Sequence, residues 1–192
     1  KHHVIAADIR DVSPFECHEN LAYVMLDVRS KEAETIIKEY EVDVVVHLAS
    51  IVTPGKTSNR EFEYSVDVLG TKNILRACVK NGVKRIVISS SGAAYGYHSD
   101  NPDWLVETSA IRGNVEFAYS YHKRLVEEML RDYRELHPEL EQTIFRIGTI
   151  LGETVNNQIT NLFEKKVLIG IAGSNSPFVF IWDKDVVQCF AK

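Results

Sequence analysis

The sequence predicts an α/β protein built on a doubly wound parallel sheet, and three observations predict it. Short β-branched runs alternate with helical patterns, the order expected when each strand is followed by a crossover helix. One run, DVVVHLAS (Asp43 to Ser50), is almost continuously apolar, as a strand buried on both faces of a parallel sheet would be. Polar residues gather where the strands should end, and open α/β sheets bind ligands beyond the carboxyl ends of their strands.

Taken in order, HVIAAD (His3 to Asp8) and LAYVMLD (Leu21 to Asp27) read as strands, each closing on an aspartate. SKEAETIIKEY (Ser30 to Tyr40) reads as a helix with Ser30 as its N-cap, since a serine oxygen can accept an orphan first-turn N–H. Asp43 to Ser50 is the third strand, and a polar loop follows it. Glu61 to Gly82 reads as one long helix ending at Asn81–Gly82, where glycine suits a left-handed C-terminal residue. KRIVISSS (Lys84 to Ser91) is the next strand. After a long loop, FAYSYHKRLVEEML (Phe117 to Leu130) is a helix and QTIFRIG (Gln142 to Gly148) a strand.

The two long helices each carry two apolar stripes. Tyr119, Lys123, Val126 and Leu130 share one face of the later helix, while Ala118, Tyr121, Leu125 and Met129 share another. In the earlier helix Phe62, Val66 and Leu69 oppose Tyr64, Val68 and Leu75. A surface helix needs one stripe, so two predict packing against the sheet and against a second subunit, a homodimer. The alternative is that later chain covers the outer stripe.

At 192 residues the chain is long enough for one sizeable core. Its 45% apolar and 26% charged composition is that of an ordinary soluble protein. A net charge of −5 with interleaved signs argues against nucleic acid or an anionic membrane as the main partner. No apolar run reaches a membrane span. Cys17, Cys78 and Cys189 are odd in number and lack metal-ligand spacing, so a reducing, cytoplasmic setting is expected, with no disulfide framework and no zinc site. The histidines are scattered and no metal is expected. The start shows no leader pattern and no initiator methionine.

The candidate site residues stand at the strand ends: Asp8, Asp27, His47 to Ser50, Ser89 to Ser91, and Arg146. Asp8 could accept hydrogen bonds from the two ribose hydroxyls of an adenosine and would repel a 2′-phosphate, which favours NAD over NADP. It could equally be a strand-ending aspartate that opens a turn. Tyr119 and Lys123, at i and i+4, lie side by side on their helix. A phenol near ~10 is a poor acid or base at neutral pH. A close ammonium would lower that value by ~1–3 units. A serine from the adjacent strand end could hold a substrate oxygen while the tyrosine moves its proton and a nicotinamide exchanges hydride.

With these residues in order, the chain resembles the extended short-chain dehydrogenase/reductases, the epimerase/dehydratase group. The resemblance runs the length of the chain. VIAAD is similar to their second strand, and LDVRS to the segment whose aspartate contacts adenine, here Asp27 followed by Val28. VVVHLAS resembles their His-Leu-Ala strand end beside the cofactor, which implicates Leu48, Ala49 and Ser50. VDVLGTKNIL is similar to their Asn-Val-x-Gly-Thr helix, and VISSSGAAYG to their Ser-Ser-Ser-x-x-Val-Tyr-Gly turn. Counting back from Tyr95–Gly96 puts the catalytic serine on Ser91, with Ser89 beside the cofactor. YSYHK carries the Tyr-x-x-x-Lys pair. FRIGTILGE is similar to their Arg-Pro strand, and FIWDKDVV to a segment whose usual aspartate falls on Asp185.

The resemblance implies a Rossmann-like domain over 1–150 and the start of a small substrate lobe over 151–192. The family's glycine-rich first βα unit has no counterpart here. That loop brings the pyrophosphate to a helix N-terminus, so the chain as written is expected to bind NAD poorly and to be an excerpt of a longer protein. Gly92 and Ala93 stand where sugar dehydratases carry an Asp-Glu pair, which disfavours dehydration. Thr149, a candidate substrate contact, replaces an asparagine that contacts the diphosphate in many nucleotide-sugar epimerases. Ile147, Gly148 and Trp182 also differ from common residues. Asp67 replaces the usual asparagine near the cofactor ribose, and His122 the usual serine before the lysine.

The function implied is an NAD-dependent oxidoreductase or epimerase acting on a secondary alcohol or ketone of a sugar or nucleotide sugar. In it Ser91 orients the oxygen, Tyr119 transfers the proton, and Lys123 lowers the tyrosine pKa and holds the ribose. The alternatives are a steroid-type NAD(P)-dependent alcohol dehydrogenase or ketone reductase, and a non-catalytic dinucleotide sensor or inactive fragment. The loop ETSAIRGNVE (Glu107 to Glu116) is read as solvated chain that could move over the site.

Overall fold

Residues 2–52, 58–167, 170, 172–173 and 178–192 are described by the structure, a computed structural model. The polar loop after Ser50 lies partly outside them. The first strands are β1 (Val4–Asp8) and β2 (Leu21–Met25), parallel and paired from Val4 against Leu21 to Asp8 against Met25. Helix α1 (Glu32–Glu39) follows. Lys31, not the expected Ser30, is the N-cap and makes no side-chain cap; the Ser30 hydroxyl, one residue earlier, accepts the Glu32 N–H. Strand β3 (Val44–His47) pairs in parallel with β4 (Arg85–Ser91), which pairs in parallel with β5 (Glu141–Ile147). The chain is thus an α/β fold of parallel strands and helical crossovers.

The long helix expected over Glu61–Gly82 is three segments. Helix α2 (Arg60–Tyr64) passes into a π-helical turn (Ser65–Gly70) and then into α3 (Thr71–Asn81). Asn59 caps α2 by accepting the Phe62 N–H at 3.0 Å, and Gly82 ends α3 in the left-handed region at φ 68°, where a side chain would be strained. Gly70 is needed for a different reason. A Cβ there would stand 2.6 Å from Val28 Cγ2, so only glycine lets the π-turn pack on the loop leaving β2.

Helix α4 (Ala118–Leu136) carries the candidate catalytic pair. Leu75, Ile86, Ile88, Leu130 and Leu140 are fully buried where α3 and α4 cover β4, each worth about 1.5–3 kcal/mol against exposure. The second stripe of α4 is partly covered by its own chain, because Leu125 and Met129 pack against this core. β3 departs from expectation. Val44, Val46 and Leu48 are 48%, 47% and 59% exposed, so one face of this strand is bare among the described residues. Its apolar run reflects alternation in which only the Val45 and His47 face meets the core.

Beyond β5 the chain forms β6 (Thr149–Leu151), α5 (Gln158–Phe163), β7 (Phe180–Trp182) and α6 (Asp183–Phe190), with β6 and β7 parallel. No described helix is long and apolar enough to cross a membrane.

Candidate active site

The geometry follows from one buried serine. Ser120, in the first turn of α4, donates from Oγ to the Ala93 carbonyl at 2.6 Å and accepts the Asn114 N–H at 2.9 Å. This ties α4 to the short 3₁₀ turn Gly92–Tyr95 that β4 enters at Ser91. Tyr119 is thereby held beside the end of β4, with Ser91 close enough to act on its phenol. The two hydroxyls do not themselves meet hydrogen-bond geometry. Ser91 Oγ accepts the Ala93 N–H at 3.1 Å, which leaves its own proton free to donate.

One turn on, Lys123 is 7% exposed and donates from Nζ to the Ser89 carbonyl at 2.9 Å. The same Nζ stands 5.4 Å from the centroid of the Tyr119 ring. Here the sequence expectation needs correction. Burial pushes the Tyr119 phenol above its ordinary value, Ser91 pulls it down, and Asp67 and Tyr97 push it further up. The Lys123 ammonium is turned to the Ser89 carbonyl and lies over the ring, and the net shift of the phenol is upward, with burial its largest cause. Burial also holds Lys123 below the usual lysine range, opposed by the charges of Asp67 and Glu127. Tyr119 is therefore poised first as a proton donor.

Asp67 is 3% exposed and makes no ion pair with Lys123. Its Oδ1 accepts the Ile51 N–H at 2.8 Å and its Oδ2 faces His122 Nδ1 at 3.1 Å. His47 meets Thr71 Oγ1 through Nε2 at 2.9 Å, and that hydroxyl donates to the Asp67 carbonyl at 2.6 Å. With the threonine proton committed, His47 must carry its proton on Nε2.

Comparison with known proteins shows the family of the chain. The sequence profile of the NAD dependent epimerase/dehydratase family matches residues 1–184. The chain belongs to that family. A UDP-glucose 4-epimerase of Erwinia amylovora is 29% identical over 126 residues, covering 65% of this chain and 36% of that protein. An N-acetyl-alpha-D-glucosaminyl-diphospho-ditrans,octacis-undecaprenol 4-epimerase of Escherichia coli O157:H7 is 36% identical over 118 residues, 58% of this chain and 34% of that one. Among solved structures, the Thermus thermophilus UDP-glucose 4-epimerase complex with NAD superposes with a TM-score of 0.76 at 22% identity, over 97% of this chain and 65% of its own. That likeness supports the fold. The chain thus spans about a third of the length of these two curated relatives.

The family's NAD can be tested against the side chains. Ser50 Oγ, at the end of β3, is buried without a hydrogen-bond partner among the described residues, and an orphaned hydroxyl calls for a ligand or a water. Lys123 commits one N–H to Ser89 and has two more to offer. These residues fit a ribose-bearing cofactor. The two aspartates are less free than expected. Arg10 forks onto Asp8 at 2.9 and 3.1 Å, and Arg29 onto Asp27 at 2.9 and 2.5 Å, holding both carboxyls below the usual range. A ribose at Asp8 must therefore compete with Arg10. Val28 is fixed by its carbonyl, which accepts from Asn73 at 2.8 Å. Leu48 stands half-exposed beside Ala49. Thr149 opens β6, its N–H donating to the Val179 carbonyl at 3.1 Å.

One network escaped the sequence reading. Glu127 takes a fork from Arg146 at 2.9 and 2.7 Å and accepts the Ser90 hydroxyl at 2.5 Å. Arg146 also donates to Tyr95 Oη and to the Glu107 carbonyl, and Tyr95 donates to the Val106 carbonyl. This strut ties α4, β4 and β5 to the 96–117 loop. The loop is further strapped by His98 to the Arg112 carbonyl at 2.7 Å and by the Arg112–Asp100 fork. Glu127, four residues after Lys123 on the same face, was the available signal. Among the described residues no group of three His, Cys, Asp or Glu side chains could hold a metal ion.

Proposed function

We propose that the chain carries the proton-transfer half of an NAD-dependent epimerase or dehydrogenase active on a secondary alcohol or ketone of a sugar or nucleotide sugar. The observation that carries this reading is the gathering of Tyr119, Lys123 and Ser91 at the end of β4, with Lys123 anchored on the Ser89 carbonyl. Bound NAD supplies the site for hydride. Ser91, its proton free, donates to the substrate oxygen and orients it against Tyr119. The buried phenol holds its proton and delivers it to that oxygen in the reducing direction, taking it back in the oxidising one. Lys123, anchored on the Ser89 carbonyl, offers its remaining N–H groups to ribose hydroxyls. Asp8, Asp27 and Val28 would line the adenosine end, and Leu48, Ala49 and Ser50 the nicotinamide side.

Residues 1–150 are assigned to the nucleotide-binding domain and 151–192 to the opening of the substrate lobe, with Thr149 at the boundary as a substrate contact. The exposed Phe62 and Leu69 of α2 and the π-turn, at 45% and 48%, are the surface offered to a second copy. Curated relatives named as UDP-glucose 4-epimerases favour the epimerase over the simple dehydrogenase. The test uses the full protein with NAD and UDP-glucose. Tyr119→Phe and Lys123→Met should each cut turnover at least about a hundredfold, with no net reduced nicotinamide accumulating in the wild type. Turnover that survives Lys123→Met would overturn the mechanism, and steady release of reduced cofactor would replace the epimerase by a dehydrogenase.

A further inference from the structure

Two exposed aromatic rings stand against the candidate catalytic tyrosine, and neither the core nor the proton chemistry uses them. The rings of Tyr97, Phe117 and Tyr119 follow one another in a row, with centroids 6.1 Å apart at each step and tilts of 37° and 45°. Tyr119 is half-buried, while Phe117 is 48% and Tyr97 67% exposed. Apolar side chains scattered singly over a surface need no explanation. A contiguous aromatic patch beside a reactive group marks a binding surface.

Phe117 has no local reason to be aromatic. It is the N-cap of α4 and makes no side-chain cap. Serine, threonine, aspartate or asparagine there would satisfy a first-turn N–H, which phenylalanine cannot do. A position that breaks a local rule with no gain in the core points to function.

The row is exposed but firmly held. Asn114 is the hub: its N–H donates to Ser120 Oγ at 2.9 Å, its carbonyl accepts the Phe117 N–H at 3.2 Å, and its Oδ1 accepts the Tyr97 N–H at 2.6 Å. Gly113 lets this hub lie on α4, because a Cβ there would strike the Ser120 carbonyl. From the other side Arg60 of α2 donates to the Val115 carbonyl at 2.6 Å. The two rings are thus presented on a fixed backbone, which lowers the ordering cost of binding.

Spacing and place decide what the row can hold. Centroids 6.1 Å apart belong to rings in mutual contact, so no third ring enters between them and a ligand must lie along the row. The face of an aromatic ring is negative, and it suits the polarised C–H groups on one face of a pyranose. A sugar ring on Phe117 has Tyr119 next to it, so an oxygen on that ring reaches the phenol. A protein partner seated on the row would instead block the way to the phenol.

We propose that Phe117 and Tyr97 form a stacking subsite for the pyranose ring of the substrate, with Phe117 against the ring whose oxygen meets Tyr119 and Tyr97 continuing the platform outward. The proposal rests on the sugar or nucleotide-sugar reading above and names the surface that holds the sugar.

The experiment is calorimetric titration of the full protein loaded with NAD, with UDP-glucose and UDP as probes. UDP lacks the sugar, so the ratio of the two Kd values isolates the hexose and cancels any loss of folded protein. In Phe117→Ala the ratio of the UDP-glucose Kd to the UDP Kd should rise about three- to tenfold. Tyr97→Ala should raise it less, and Phe117→Tyr should keep the wild-type ratio. Phe117→Leu retains apolar bulk without an aromatic face; it should behave like the alanine variant, and it decides if that variant does not fold. An unchanged ratio overturns the subsite and leaves the sugar reading standing, whether both ligands bind as before or both weaken alike because the ring braces the loop. A wild type that binds neither ligand overturns the sugar reading and the subsite with it.

Discussion

His47 offers the cleanest quantitative handle on the folded chain. It is 6% exposed, with Nε2 committed to Thr71. Burial first, then the Lys123 charge, lowers its pKa from 6.5 to about 4, against an opposing pull from Asp67. Between those values the unfolded chain binds a proton that the folded chain refuses. The stability that neutral His47 contributes is therefore complete above pH 6.5 and is lost as the pH falls toward 4. Worked through the two pKa values, the loss between pH 7 and pH 5 is roughly 2 kcal/mol. His47→Gln keeps a donor for Thr71 and removes the titration. Urea unfolding followed by far-UV circular dichroism at both pH values gives the difference between wild type and variant. That difference should move in favour of the variant by about 2 kcal/mol on acidification, other groups cancelling. A difference that stays constant from pH 7 to pH 5 would refute the burial argument.

Two further outcomes follow from the strut and the loop. Glu127→Gln strips the charge from a carboxylate that takes an Arg146 fork in a side chain only 3% exposed, and should cost about 3 kcal/mol. A chain of this size should then melt roughly 6–12 °C lower by calorimetry, and an unchanged melting temperature would mean the strut is neutral. Gly96→Ala places a Cβ 2.5 Å from the Arg112 carbonyl and from His98 Nε2, at φ 78°. It should break the His98–Arg112 bond and raise amide exchange across residues 97–113, and protection equal to wild type would show that the loop is held elsewhere.

Much of the architecture was legible in the sequence because it follows from local rules. The alternation of β-branched runs with helical periods specified the parallel α/β order, and Asn81–Gly82 marked the end of α3 because only a residue tolerant of positive φ can close a helix that way. Spacing alone put Tyr119 and Lys123 on one helical face, and motif order put Ser91 upstream of them. What periodicity could not supply was the direction of each polar group. The apolar run of β3 read as buried twice over, yet whether Val44, Val46 and Leu48 meet a neighbour depends on elements packed from elsewhere.

The same limit governed the electrostatics. A tyrosine and a lysine four apart implied a lowered phenol pKa, whereas desolvation, set by everything packed around the site, pushes it up. Asp67 and His122 each stood out in the sequence as unusual residues. Nothing local connects positions 55 residues apart, and only a π-helical turn pressed against α4 makes them partners. Residue types and their spacing determined which chemistry was available to this chain. Burial and long-range contact, which are properties of the whole packed molecule, decided which groups are charged, which are free, and which hold the others in place.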